Sequence, residues 1–245
     1  MIYIKRWIDY YSELFPVEEG QQNFFESYAN EFSNSTKILS VECGPALLSE
    51  ILNEKYDITV TDQHQEFIDI VKSRNSYSNG RIHAFNMHPM DLSRYMGNSF
   101  FDIVCCLNYR VIFLKERALI KKYMMDVQRL LTNGGYLILD LINFAKYDFS
   151  ETKIDLPEKK SERATLYSSL VKNSEGLSYR LYQNVVTSAG KMIEEVKDEV
   201  VCPVSLETFK SAAEEMKFSS IEFFSDYKKS PYFKESDKII CVLKK

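Results

Sequence analysis

The chain has 245 residues, of which 45% are hydrophobic and 13% aromatic, enough for one large packed domain and too much for a disordered polymer. Its formal charge is −4, and lysine and arginine form no long block, so nothing in the composition supplies an electrostatic footprint for DNA or RNA.

In chain order, residues 4–15 are aromatic-rich with helical spacing and stop at Pro16. VEEGQQNFFESYANEF (17–32) predicts a second helix with Phe24, Phe25, Tyr28 and Phe32 on one face. KILSV (37–41) predicts a short strand, and PALLSEILNEK a helix with Pro45 in its first turn. YDITVTD (56–62) alternates as a strand and ends on an acid, and QEFIDIVKSRN predicts the next helix. RIHAF (81–85) is a strand, and FFDIVCCL (100–107) is apolar enough for a strand buried on both faces. KERALIKKYMMDVQRLL (115–131) is the clearest amphipathic helix; Asn133-Gly134-Gly135 turns into the strand YLILDLI (136–142). Strand–helix alternation with continuously apolar strands predicts a doubly wound parallel α/β sheet.

After residue 148 the pattern changes. ATLYSSLVKN, GLSYRLYQNVVTS and KMIEEVKDEVVC, joined by NSEG and SAGK, predict a three-stranded antiparallel meander. SLETFKSAAEEMKF (205–218) returns to helix with Ser205 as N-cap. SSIEFFSDY and DKIICVLKK close the chain as a strand pair. Cys43, Cys105, Cys106, Cys202 and Cys241 lack disulfide or zinc spacing, and adjacent Cys105 and Cys106 read as small buried hydrophobes. His64, His83 and His88 are too dispersed for a metal site, beyond a loose pairing of His83 with His88. The first residues lack the apolar core of a signal peptide and no run nears the roughly 18 apolar residues of a membrane span, so a cytoplasmic protein is expected.

The helical N-terminal pair, the strand with a glycine bend, the strand ending in Asp62, the Gly-Gly before the fifth strand and the closing strand pair together resemble the class I S-adenosylmethionine-dependent methyltransferases. The stretch YYSELFPVEEGQQNFF is similar to the lid of the small-molecule branch that carries a β insertion after the fifth strand. The resemblance implies a seven-stranded Rossmann-like sheet with a small antiparallel β insertion and an N-terminal helical lid. It divides the chain into a lid (1–35), a cofactor-binding domain (36–148 and 203–245) and an insertion covering the substrate (149–202). It implies S-adenosylmethionine as cofactor, no metal, a small-molecule substrate, neither nucleic acid nor a membrane as partner, and a monomer or homodimer.

The family's first loop has an acid, one residue, then Gly-x-Gly-x-Gly. Aligned without gaps, KILSVECGPALL puts Ser40 at the acid and Glu42, Gly44 and Ala46 at the glycines. A register with Glu42 as the acid shortens the path to Asp62 by two residues, so the gapless one is preferred. Those glycines serve positive φ and close backbone approach, and Glu42 in that geometry costs about 1 kcal/mol or more. Its carboxylate would pair with the cofactor's ammonium group in place of the lost acid. Asp62, with two acceptor oxygens, is expected on a ribose, or else as a cap for the following helix. Gln63 would line the adenine edge, and Asn86 or His88 would accept from its amino group. Leu107 and Asn108 would form the cofactor floor.

On the substrate side the resemblance implies Tyr11, Tyr109, Arg110 and Asn143. Arg110 would hold an acidic group or make a surface salt bridge, and His88 and Tyr109 are the weak candidates for a general base. Aromatic residues of the lid (Trp7, Tyr10, Tyr11, Phe15) and of the insertion (Tyr167, Tyr179, Tyr182) would exclude water around an in-line methyl transfer. Three alternatives stand beside this reading. A catalytically inactive member with a binding or regulatory role is favoured by the altered loop. An RNA or protein methyltransferase is disfavoured, because LNYR is a poor Asn/Asp-Pro-Pro-aromatic tetrad. A dinucleotide oxidoreductase would need Gly-x-Gly-x-x-Gly, which ECGPALL lacks.

Overall fold

A computed structural model describes residues 8–32, 36–76, 82–173 and 178–245. Trp7 and most of the NSEG turn lie outside the described residues.

Five strands run parallel: β1 (Lys37–Val41), β2 (Asp57–Asp62), β3 (Ile82–Asn86), β4 (Phe101–Cys106) and β5 (Leu131–Ile142). Strand β12 (Lys238–Lys244) adds antiparallel to β5, and β11 (Ser220–Phe224) antiparallel to β12. The order is β11-β12-β5-β4-β1-β2-β3. Successive strands are added to one side of β1 up to β3 and to its other side from β4 onward, and ligands of such sheets sit at that switch in strand order, beyond the carboxyl ends of β1, β2 and β4. Within β1, β4, β5 and β12 alternate residues feed opposite cores. Leu39, Val104, Leu139 and Cys241 join the core under the short α5 (Leu92–Tyr95), α6 (Arg117–Leu130) and α7 (Leu206–Glu215). Ile38, Ile103, Ile138 and Ile240 join the one under α2 (Gln21–Ala29) and α3 (Leu47–Leu52). Helix α4 (Gln65–Asn75) adds Val71 to that second core. Two apolar faces on one sheet require helices on both, which is the doubly wound architecture. Among the described residues no helix is long and apolar enough to cross a membrane.

The insertion is a second antiparallel sheet of β10 (Met192–Val201), β9 (Tyr179–Thr187), β8 (Ala164–Lys172) and β6 (Lys153–Asp155), with β7 (Lys159–Lys160) also on β8. The meander was expected; β6 and β7 were not, because two or three residues carry no readable period. Two apolar clusters attach this sheet to the rest. One joins Leu166, Val185 and Ile193 to Phe67 and to Tyr11, Leu14 and Phe15 of the lid helix α1 (Ile8–Leu14) and its end. The other joins Leu170, Leu181 and Val201 to Ile112, Ile142 and Phe144 beyond β4 and β5.

Three details differ from expectation. Pro45 precedes helix α3, whose N-cap is Ala46, so it does not occupy the first turn. Asn133, Gly134 and Gly135 lie within β5, where the pairing with β4 shifts register, rather than before it. A Cβ on Gly135 would stand 3.0 Å from the Asp102 and Thr132 carbonyl oxygens, so a larger residue would force the backbone there to give by a few tenths of an ångström.

Candidate functional site

The β1 loop keeps the backbone of a three-glycine loop with one glycine. Glu42, Gly44 and Ala46 have φ of 53°, 56° and 56°, the left-handed region at each position where the gapless register places a glycine. Asn108 and Tyr109, after β4, are also left-handed, with φ of 54° and 56°. Four non-glycine residues in this conformation at one end of the sheet store strain, as functional loops often do. Gly44 is the position where space is tight as well. A Cβ there would meet the Tyr11 ring at 3.1 to 3.3 Å, so the lid lies directly on the loop.

The groove expected to take the cofactor is filled by side chains. Arg110 reaches from the end of β4 to the end of β1 and places Nη2 3.0 Å from Glu42 Oε2. Gln63 Nε2 donates to the same oxygen at 3.2 Å. Both charged side chains are buried, at 6% and 3% exposure, so the expected surface salt bridge is an interior one. The Arg110 guanidinium also stacks 4.8 Å from the Phe113 ring centre. Burial pushes the Glu42 carboxyl up and the Arg110 charge pulls it back. Burial opposes the Arg110 charge too, but Glu42 and Asp62 outweigh it and move that group further up. Glu42 Oε1 is buried without a hydrogen-bond partner.

Asp62 does not present a free carboxylate to a sugar. It is fully buried. Its Oδ2 accepts the Gly44 N–H at 2.9 Å, and its Oδ1 accepts the His64 N–H at 2.8 Å and faces His64 Nδ1 at 3.0 Å. It is no side-chain cap for α4 either, whose N-cap is His64 with no side-chain bond. Its work is to tie the β1 loop to the end of β2. Burial drives the Asp62 carboxyl upward, but the His64 hydrogen bonds and the Arg110 charge outweigh it and hold it below the usual carboxylate value. Glu42, Asp62 and His64 place one donor atom each within 4.8 Å of one another, the single grouping of that kind among the described residues, and Arg110 already supplies positive charge there.

Other expected residues are used structurally. Asn86 Nδ2 donates to the Asp62 carbonyl at 3.0 Å. His88 is exposed and caps a short 3-10 turn by accepting the Met90 N–H. Asn143 is fully buried; its amide donates to the Lys234 and Ser236 carbonyls at 2.8 Å, and its oxygen accepts from Ala145 N–H and the Tyr232 hydroxyl. None of its polar atoms remains for a substrate. Ser40, Leu107 and Asn108 border a space of about 40 Å³ beside the β1 loop, and a further 10 Å³ lies among Glu42, Gln63, His88 and Arg110.

The larger open volume lies on the side where the resemblance places the substrate. A chamber of about 320 Å³ sits between the lid, the ends of β4 and β5 and the insertion. Tyr11, Phe15, Tyr109 and Phe113 supply aromatic wall, and Leu166, Ser168, Leu181 and Gln183 supply the insertion's share. Strand parity explains why Tyr167 and Tyr182 are not on this wall: they alternate with the residues that are, and Tyr182 bonds to Asp198 outside. Tyr179, at the strand end, bonds to the Phe149 carbonyl instead. Burial pushes the Tyr109 hydroxyl well above its ordinary value, so it is no base near neutral pH. Sequence reasoning missed Lys159, also on the chamber, because it belongs to the two-residue strand β7. A wider depression of about 520 Å³ near Phe149, Val201 and the start of α7 shares no residue with the ends of β1, β2 or β4.

S-adenosylmethionine, implied by the resemblance, does not fit these side chains as they stand. Small-molecule sites run to roughly 300–1,000 Å³. Among the described residues the spaces beside the β1 loop and around the Glu42–Arg110 pair hold about 40 and 10 Å³, with the buried ion pair between them.

No family model and no curated protein matches the sequence. Solved structures do match over nearly the whole chain. An S-adenosylmethionine-dependent methyltransferase of Clostridium acetobutylicum aligns with a TM-score of 0.77 at 16% identity, covering 98% of each chain. The CcbJ methyltransferase of Streptomyces caelestis aligns with a TM-score of 0.80 at 12% identity, covering 97% of this chain and 95% of its own. The amino pentose methyltransferase CalS10 of Micromonospora echinaspora, solved with S-adenosylmethionine bound, aligns with a TM-score of 0.65 at 15% identity over 94% and 91%. Over its length the chain carries the class I S-adenosylmethionine-dependent methyltransferase fold.

Proposed function

We propose that this protein binds a small organic molecule in the 320 Å³ chamber, on a methyltransferase scaffold whose cofactor groove is closed by its own Glu42–Arg110 pair. The observation that carries the reading is the asymmetry of the two sites. Among the described residues the side facing the insertion holds a chamber of ligand size, whereas the spaces beside the β1 loop hold about 40 and 10 Å³.

A second reading has its own observation. The loop keeps left-handed geometry at all three glycine positions, and Glu42 Oε1 is a buried acceptor without a donor. Both suit an active methyltransferase of a small molecule in which Arg110 leaves Glu42 and a cofactor ammonium takes its place. Methyl-labelled NMR separates the two. Under the first reading, small aromatic fragments shift the Ile112, Leu166 and Leu181 methyl signals on the chamber, and millimolar adenosine leaves Leu107 and Val111 unmoved. Adenosine-dependent shifts at Leu107 and Val111 decide for the second.

A further inference from the structure

The charges on the chamber wall are almost all matched. Glu18 pairs with Lys238, Asp237 with Lys146, Glu158 with Lys160 at 2.7 Å and Arg110 with Glu42 at 3.0 Å. Lys159 differs. Its ammonium stands 4.7 Å from the Phe15 ring centre and 5.0 Å from that of Tyr109, and among the described residues no carboxylate comes within ion-pair distance of it. The backbone holds it there, because Lys159 pairs with Leu166 across β7 and β8. Asp140, the nearby buried acid, does not line the chamber: its carbonyl accepts the Tyr109 N–H, its Oδ2 accepts from the Tyr227 hydroxyl at 3.0 Å and its Oδ1 has no hydrogen-bond partner. Two aromatic faces hold a cation in place but leave its outer hemisphere without a hydrogen-bond acceptor.

We infer that the chamber is an anion-selective site: it takes a small organic acid with a planar apolar body, whose carboxylate meets Lys159 while its body lies among Phe15, Tyr109 and Phe113. This rests on the reading of the chamber as a small-molecule site. Charge decides the class. A cationic ligand would bring a second positive charge beside Lys159 in a chamber whose lining carboxylates, Glu18, Glu158 and Asp237, are already paired. A neutral one would leave the ammonium desolvated without an acceptor. Burial lowers the Lys159 ammonium below the usual lysine value, and an arriving carboxylate reverses that shift.

The test uses three ring compounds of one size and different charge: benzoate, benzamide and benzylamine. Ligand-observed NMR titrations are run on the full-length protein, on Lys159→Met, on Lys159→Arg and on Ser168→Trp, which fills the chamber. Benzoate is expected to bind the wild type at least tenfold more tightly than benzamide, with benzylamine weakest. Lys159→Met lowers benzoate to the benzamide level and leaves benzamide unchanged, Lys159→Arg restores the preference, and Ser168→Trp removes all binding. Benzamide or benzylamine bound in the chamber as tightly as benzoate, or a preference that survives Lys159→Met, overturns the anion assignment while the chamber remains a site. Absence of binding by all three at 10 mM, or binding unaffected by Ser168→Trp, overturns the chamber reading and the anion assignment with it.

Discussion

Arg110→Met is expected to destabilise the protein by about 3–5 kcal/mol at neutral pH, because it leaves the Glu42 carboxylate buried without its counter-charge. For a chain of this size that lowers Tm by roughly 10 °C. The loss depends on pH in a defined direction. The folded Glu42 carboxyl is already pushed above its ordinary value by burial, and removing Arg110 takes away the charge that pulls it back. A carboxyl raised in the folded state favours folding below its unfolded value and loses that contribution as pH rises through the folded value. The deficit of Arg110→Met is therefore smallest near the ordinary glutamate range, about pH 4.5, and grows toward neutrality. Glu42→Gln combined with Arg110→Met removes both charges and is expected to recover most of the loss, since replacing a whole buried pair is far milder than breaking it. Urea denaturation of the two single variants and the double variant at pH 4.5 and 7.5 gives the coupling directly.

Asp62→Ala is the second large loss, on the order of 3–5 kcal/mol, because it strips acceptors from the buried Gly44 N–H and the part-buried His64 N–H at about 1–3 kcal/mol each. Asp62→Asn is expected to fall close to alanine. With N–H donors on both oxygens, an amide necessarily turns its own NH₂ toward one of them. Thermal denaturation of both variants distinguishes a structural tie from a ligand contact, which would change affinity and leave Tm in place. The acid limb follows the opposite sign from Glu42. The folded Asp62 carboxyl lies below its ordinary value, so its contribution is present above the unfolded value, about 3.9, and is lost as pH falls through the folded one.

Much of the architecture was legible because long elements carry their period. QEFIDIVKSRN forms α4 at Gln65–Asn75, and KILSV forms β1 at Lys37–Val41. The gapless register was legible too, since it places the family's three glycines at 42, 44 and 46, of which only Gly44 is kept and where φ is positive in the folded chain. The site was less so. Glu42 and Arg110 are 68 residues apart, and nothing local in either stretch says that they meet. An acid ending a strand reads as ligand-facing, yet Asp62 is claimed by the N–H of Gly44, which only the folded loop brings near. Asn143 misled in the same way, because its partners come from the loop at 234–236 before β12. The tyrosines of the insertion were visible as residues, but which face of the sheet they occupied depended on how the sheet docks.

The closed groove is tested most directly by titrating S-adenosylhomocysteine into the wild-type protein by calorimetry at neutral pH. With Arg110 bonded to Glu42 and Asp62 fully engaged, no saturable heat is predicted up to 1 mM ligand. A one-to-one isotherm with micromolar Kd would contradict the account and show that the Arg110 side chain yields to the nucleoside.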